Sequence, residues 1–202
     1  MANKVRFGLK NTKYALYNAQ SGTYGALKEF KGAVSLSLSR EGGDSADFYA
    51  DDGIYHTFAG TNGGYSMELE MARFLDEVRV DLLGEVVDST TGVQYEITSV
   101  NPPEFALVTE MQGDENPIGF VFYSCKASRP EFNANTKNES PDVDTDTINI
   151  RVGAKDFTID GVTQSVVQGH IEKTASNADK YTAFFSAVTI PGGGSGNSGL
   201  SA

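Results

Sequence analysis

The feature that most restricts the fold is a strict alternation of apolar and polar side chains in two segments. Residues 33–39 read AVSLSLS, and residues 65–71 read YSMELEM. Successive side chains of a β-strand point to opposite faces, so this period of two predicts two half-buried strands with Glu68 and Glu70 facing outward. The side chains predicted to face inward are Val34, Leu36, Leu38, Tyr65, Met67, Leu69 and Met71.

Much of the remaining chain is also typical of a β protein. Runs rich in β-branched and aromatic residues predict further strands at residues 5–9, 14–18, 95–100, 105–111, 119–126, 147–152 and 163–170. Turn-forming residues separate them at 101–103, 113–117 and 160–161. The predicted class is therefore mainly β. We expect one domain over residues 1–191, a long polar loop over 126–146, and a Gly/Ser-rich tail of linker composition over 192–202.

Two helices are predicted to cover the β core. Residues 72–83 carry apolar side chains at helical spacing, and Gly84 is the expected stop. A second, weaker pattern lies near residues 177–187. The side chains expected on the buried faces are Phe74, Leu75, Val78, Leu82, Tyr181, Phe184, Phe185 and Val188. Those expected to face away from the core are Arg73, Asp76, Glu77, Arg79 and Asp81.

Residues 44–58 predict a β-hairpin. Asp52-Gly53 is the strongest two-residue turn signal in the chain, because both central residues of such a turn need positive φ. The arms, residues 48–51 and 54–58, carry large side chains that a two-stranded ribbon cannot bury by itself. Either the body of the same domain or a partner subunit must cover them.

The charge of the chain is unevenly distributed. Residues 1–40 contain seven Lys or Arg and one acid, a net charge of +6, whereas residues 41–72 contain seven acids and no Lys or Arg, a net charge of −7. This distribution fits either a simple solvated surface or self-complementary faces that join copies head to tail. With a total of −11, the chain lacks the basic domain of a conventional DNA-binding protein.

The sequence predicts neither export nor a membrane span. The N-terminus lacks the apolar core of a signal peptide, and no run is long and apolar enough to cross a bilayer. Cys125, the single cysteine, lies in an apolar strand pattern, which favours a buried structural thiol.

No motif predicts catalysis, a metal site or a cofactor. His56 and His170 have no Cys or acidic ligand pattern around them, and the Asp-rich run at 142–146 lacks the Gly and Glu of a calcium loop. Asn138 begins a formal glycosylation sequence that an unexported chain would not use. The acid pairs at 51–52 and 114–115 lie in turns, where acids are expected for backbone reasons, so a hydrolase using a carboxylate pair is disfavoured. We expect a protein that is not an enzyme.

Several blocks together resemble the major tail protein, or tail tube protein, of long-tailed non-contractile bacteriophages of Gram-positive hosts. The likeness spans roughly residues 33–152 and follows the same order along the chain. The blocks are YADDGIY at 49–55, GGYSMELE at 63–70, DLLG at 81–84, FALV at 105–108, FYSCKASRP at 122–130 and TKNES at 136–140.

The resemblance implies a β-sandwich or barrel-like fold with one flanking helix, a protruding hairpin, and extended N- and C-terminal arms. It implies assembly in the host cytoplasm into stacked hexameric rings that form the virion tail tube. The tube would hold a tape measure protein inside it and would carry tail terminator and distal tail proteins at its ends. Genomic DNA would pass through the lumen without specific binding. No cofactor and no membrane partner is implied.

On this hypothesis the hairpin contacts a neighbouring subunit and the termini link successive rings. The residues predicted for the contact hairpin are Asp44, Asp47, Phe48, Tyr49, Ala50, Asp51, Asp52, Gly53, Ile54, Tyr55, His56 and Phe58. Those predicted for an N-terminal basic arm are Lys4, Arg6, Lys10 and Lys13. The alternative is a monomeric virion decoration or binding module that uses the same hairpin to grip a different partner.

Overall fold

Antiparallel strands form most of the chain. The structure is a computed structural model that describes residues 3–131 and 144–195. Within these ranges the helices are α1 (Asp76–Leu83) and α2 (Ala178–Phe184). The strands there are β1 (Arg6–Asn18), β2 (Thr23–Tyr24), β3 (Lys28–Glu29), β4 (Ala33–Glu41), β5 (Ala46–Ala50), β6 (Gly53–Phe58), β7 (Gly64–Met71), β8 (Val86–Val87), β9 (Gln94–Tyr95), β10 (Phe105–Gly113), β11 (Ile118–Ala127), β12 (Asp146–Gly153), β13 (Lys155–Ile159), β14 (Val162–Val166), β15 (Gln168–Glu172), β16 (Thr189–Ile190) and β17 (Gly194–Ser195).

Nine of the strands form one sheet. Its order is β2-β1-β10-β11-β12-β7-β4, with β3 paired to β1 and β15 paired to β11. The other strands form four two-stranded ribbons, β5-β6, β8-β9, β13-β14 and β16-β17. Every pairing is antiparallel, so the predicted mainly β class is confirmed, and the architecture is consistent with a β-sandwich.

The central strands of the sheet are buried on both faces. In β10, Phe105 and Leu107 point into a core that also receives β7, β12 and α1, whereas Ala106 and Val108 point into a second core beneath α2. All four are fully buried. This double burial explains why the segment reads as a continuous apolar run without alternation.

The two strands predicted at residues 5–9 and 14–18 are one strand, β1. It pairs with β10 along its length, with register shifts between Phe7 and Leu9 and between Lys10 and Lys13. Gly8 and Asn11 have φ of 65° and 51° at these irregularities. Bulges with left-handed residues therefore let one strand continue where the sequence pattern is interrupted.

Other strand predictions need correction at particular residues. A register shift between Ala33 and Ser35 turns Val34 out of the core, leaving it 51% exposed, while the remaining inward positions of β4 and β7 are confirmed. The strand predicted at 95–100 is only the short β9. The one predicted at 163–170 is divided between β14 and β15, and β13 was not predicted. The strands predicted at 105–111, 119–126 and 147–152 are confirmed.

Helix α1 is shorter than predicted. It begins at Asp76, because Leu75 is extended (φ −67°, ψ 145°) and Leu75 is 41% exposed, contrary to its predicted burial. Asp81 does not face away, since it accepts hydrogen bonds from the Tyr14 hydroxyl at 2.6 Å and the Lys28 ammonium at 2.5 Å. The stop at Gly84 is confirmed by its left-handed φ of 72°.

Helix α2 and the C-terminal segment cover the second core. Tyr181, Phe184 and Val188 are buried, as predicted. The tail predicted from residue 192 pairs β17 with β16 in its first part, and residues 196–202 lie outside the described ranges. So do residues 132–143, with most of the predicted loop, Asn138, the TKNES block and the start of the Asp-rich run. No helix in the described ranges is long and apolar enough to cross a membrane.

Candidate interaction surface

Among the described strands, β5 and β6 pair only with each other, and the hairpin they form extends into solvent. Its turn is Asp51-Asp52, one residue earlier than the predicted Asp52-Gly53, because Ala50 pairs with Gly53. Asp51 and Asp52 have φ of 50° and 61°. Aspartate tolerates the left-handed region better than most residues, so two aspartates can form the primed turn that the strand twist demands.

The hairpin exposes five large apolar side chains. Phe48 pairs with His56 and Tyr49 pairs with Ile54, so Tyr55 is the extra residue of a bulge and is 74% exposed. The rings contact mainly one another: Phe48 and Tyr55 lie edge to face at 6.3 Å. The five side chains are Phe48, Tyr49, Ile54, Tyr55 and Phe58. Large exposed apolar side chains concentrated on one ribbon are typical of an interaction site.

The base of the hairpin is a narrow glycine-rich neck, formed by residues 41–43 and 61–63. The backbone N–H of Thr61 donates to the Gly43 carbonyl at 3.0 Å, and that of Gly63 donates to the Glu41 carbonyl at 2.8 Å. A Cβ at Gly42 would lie 1.9 Å from the Thr61 carbonyl oxygen. The two chains of the neck therefore approach too closely for side chains, and the hairpin continues the β4–β7 ribbon beyond the sheet.

The acids of the hairpin differ in their partners. Asp44, just before β5, pairs with Arg40 at 3.5 Å, and Asp47 accepts a hydrogen bond from the Thr57 hydroxyl at 2.6 Å. Asp51 and Asp52, at the tip, form no ion pair or side-chain hydrogen bond with any residue the structure describes. The tip thus presents two uncompensated negative charges beside exposed aromatic rings.

The predicted basic arm is held in the sheet and does not form one patch. Lys4 precedes β1, and the other three residues lie within it. Lys10 pairs with Glu110 at 3.0 Å, and the Lys13 ammonium donates to the Phe185 carbonyl at 3.1 Å. Lys4 and Arg6 instead border an open groove. Only these two of the four predicted cations are exposed without an ion pair in the described part of the chain.

The remaining candidate residues are either buried or held by hydrogen bonds within the fold. Cys125 is fully buried, as predicted, and this burial raises the pKa of its thiol. Hydrogen bonds from the Lys4 and Val5 backbone N–H groups lower the pKa of Asp114, which ties the 113–117 turn to the N-terminal segment. Residues 3–131 and 144–195 contain no cluster of three or more His, Cys, Asp and Glu side chains placed to hold a metal.

A second apolar surface was missed by the sequence analysis. The β8–β9 ribbon beside α1 exposes Val86, Val87, Val93 and Tyr95. No alternation or turn signal pointed to it, because the ribbon is only two residues long on each side. Glu85 at its base is buried and is bound by Arg79 at 2.7 Å and by the Gln94 amide at 2.6 Å.

The comparison with known proteins adds no identification. Neither protein-family models nor the curated proteins contain a match to this chain.

Proposed function

We propose that this chain is a structural subunit that assembles into stacked rings forming a tube, as the tail tube proteins that it resembles do. The observation that carries the proposal is the hairpin: five large apolar side chains are exposed on a ribbon that pairs with no other strand in the described ranges. Isolated two-stranded ribbons are marginally stable in water. Contact with a neighbouring subunit would cover the rings and stabilise the ribbon by mass action.

The charge distribution supports the same proposal. An acidic hairpin and exposed cations near the N-terminus are different surfaces of one chain, and different surfaces that complement each other join copies head to tail. Such contacts close into rings or continue as filaments. An excess of acid also suits a conduit, because a negative wall repels nucleic-acid phosphates. In the virion tail, the partners would be a tape measure protein within the tube and terminator and distal tail proteins at its ends.

The test is removal of the hairpin. The wild-type protein should form rings or tubes at high concentration in negative-stain electron micrographs, and a variant lacking residues 45–58 should sediment as a monomer. A matched pair of point variants separates the role of the hairpin from general surface changes. Ile54→Ser and Val162→Ser replace side chains that are each 58% exposed, on different hairpins. Only Ile54→Ser should weaken assembly.

Two results would contradict the proposal. The first is a wild-type protein that stays monomeric at every concentration, with or without a tape measure protein. The second is tube formation that survives the deletion. A monomer that loses binding to another virion protein when the hairpin is removed would support the alternative, a decoration or binding module.

A further inference from the structure

A basic groove lies between the N-terminal segment and the β11–β15 pair. It has a volume of about 720 Å³, and its walls include Lys4, Val5, Arg6, Phe120 and His170. The imidazole of His170 lies over the Phe120 ring at 5.9 Å, and the two planes are 32° apart. Val5 and His170 are exposed. The groove therefore combines apolar and aromatic surface with two cations at its rim.

The charged side chains that line the groove do not pair with one another. Within the described residues, Lys4 and Arg6 form no ion pair. The acid that lines the groove, Glu172, is engaged by the side-chain amides of Asn3 at 3.3 Å and Asn116 at 3.4 Å. The amides leave the charge of Glu172 in place, so the charged side chains that line the groove, Lys4, Arg6 and Glu172, sum to +1. The groove therefore fits an acidic partner that carries aromatic or apolar side chains.

We propose that this groove receives the tip of the β5–β6 hairpin of a second copy of the chain, an inference that rests on the proposed function. The tip has the complementary composition: Asp51 and Asp52 are without described partners, and Tyr49 and Tyr55 project beside them. In the contact, the carboxylates pair with Lys4 and Arg6, and the tyrosine rings pack on Phe120 and His170.

The turn itself supports a role for the two carboxylates. Both positions have left-handed φ, where aspartate is tolerated but glycine is favoured at the second position. Two like charges side by side also repel each other. A turn that only had to close the hairpin would not need either feature, whereas a tip that meets two cations does.

Two other surfaces of the chain fit the tip less well. The apolar β8–β9 ribbon is bordered by Asp76, Glu77 and Asp88, which would repel an acidic hairpin. Pairing of two hairpins would bring their acids together. No hairpin residue lines the groove within one chain, and the glycine neck holds the hairpin away from the body. A second copy is therefore the occupant that the charges favour.

Reversing the charges on each side of the contact tests the proposal. Asp51→Lys/Asp52→Lys and Lys4→Asp/Arg6→Asp should each weaken self-association at least tenfold in sedimentation velocity. An equimolar mixture of the two variants should assemble again, because each altered surface then meets a complementary one. Asp160→Lys is the matched control. Asp160 is also an exposed turn aspartate with a left-handed φ of 51°, but it lies in the β13–β14 hairpin. It should leave assembly unchanged.

A cross-link identifies the partner surfaces directly. Cys125 is the only cysteine and is buried, so thiol-specific reagents report only introduced cysteines. A short bismaleimide should join Asp52→Cys of one copy to Arg6→Cys of another. Cross-linking of Asp52→Cys to itself, or failure of the mixed charge variants to assemble, would overturn the proposal.

The outcomes also separate this inference from the proposed function. Tubes that form normally with both sets of charge variants would leave the tube function standing and remove the groove as the acceptor. Cross-linked pairs or single rings that never stack would retain the groove contact and contradict the tube. A wild-type chain that never associates would contradict both.

Discussion

The two hairpins β5–β6 and β13–β14 are alike in local structure and opposite in their surroundings. Each is a separate two-stranded ribbon with a two-residue turn in the left-handed region. The first has Asp51-Asp52 at its turn and the second has Asp160-Gly161, as the sequence predicted for the latter. Turn chemistry and strand propensity therefore make a ribbon in both places.

The two ribbons differ in how many residues of the same chain pack on their side chains. In β13–β14, Phe157 lies edge to face with Tyr123 at 4.8 Å and packs with Val166 on the second core. Lys155 sits 3.2 Å from the centre of the Tyr17 ring and pairs with Glu104 at 2.8 Å. Nothing comparable covers the rings of β5–β6 in the described chain. One ribbon is therefore covered within the chain, and the other leaves exposed the rings that the proposed assembly would cover.

The largest effect should come from truncating one ring on each ribbon. Phe157→Ala should lower the free energy of unfolding by about 2 kcal/mol, less than for a fully buried ring because Phe157 is partly exposed. Phe48→Ala should change it by less than about 0.5 kcal/mol, since surface substitutions away from packed features have small effects. Urea denaturation at dilute, monomeric concentrations measures both.

The same two variants should affect self-association in the opposite order from monomer stability. Phe48→Ala removes a ring from the proposed contact and should weaken assembly, whereas Phe157→Ala should leave assembly intact at temperatures where the variant is folded. Equal losses of monomer stability for the two variants would contradict the distinction between the ribbons, because they would mean that β5–β6 already packs on the body.

How far the sequence predicted the fold depends on which interactions set each element. Alternation located β4 and β7, because one buried face imposes a period of two. It misplaced Val34, since the bulge there depends on the pairing between β4 and β7 and has no local signal. Likewise, Asn11 and Gly8 interrupt the pattern of β1 without ending it, because pairing with β10 holds the strand through both bulges.

The hairpin and the groove of the proposed contact differ in the same way in how far the sequence predicts them. The hairpin was predicted from local residues, because its turn and its large side chains lie within 15 consecutive positions, 44–58. The groove was not, because it joins the N-terminal segment to β11 and β15, which are more than 100 residues away in sequence. Only tertiary structure reveals which two of the four predicted cations are exposed without an ion pair among the described residues.

A smaller effect is expected from placing alanine at the left-handed turn position of each ribbon. Gly161 has φ of 80° and open space around a Cβ, so Gly161→Ala introduces backbone strain alone and should cost about 1 kcal/mol of global stability. Asp52→Ala should cost the core nothing measurable by urea denaturation. It should instead speed amide hydrogen exchange in β5 and β6. A global loss for Asp52→Ala would mean that the ribbons are equally coupled to the core.

The smallest effect should come from the polar contact that helps to hold β13–β14. Lys155→Met keeps the aliphatic stem and removes the charge above Tyr17 and beside Glu104, so it should lower stability by about 0.5–1 kcal/mol. Lys126→Met is the control, because Lys126 is exposed and forms no ion pair among the described residues. The difference between the two variants, measured by thermal or urea unfolding, should shrink at 1 M salt as the ion pair is screened. If Lys155→Met is instead no less stable than Lys126→Met relative to wild type, apolar packing of the stem and not charge holds Lys155 in place. The cover of β13–β14 would then be wholly apolar, the same kind of cover that β5–β6 lacks within its own chain.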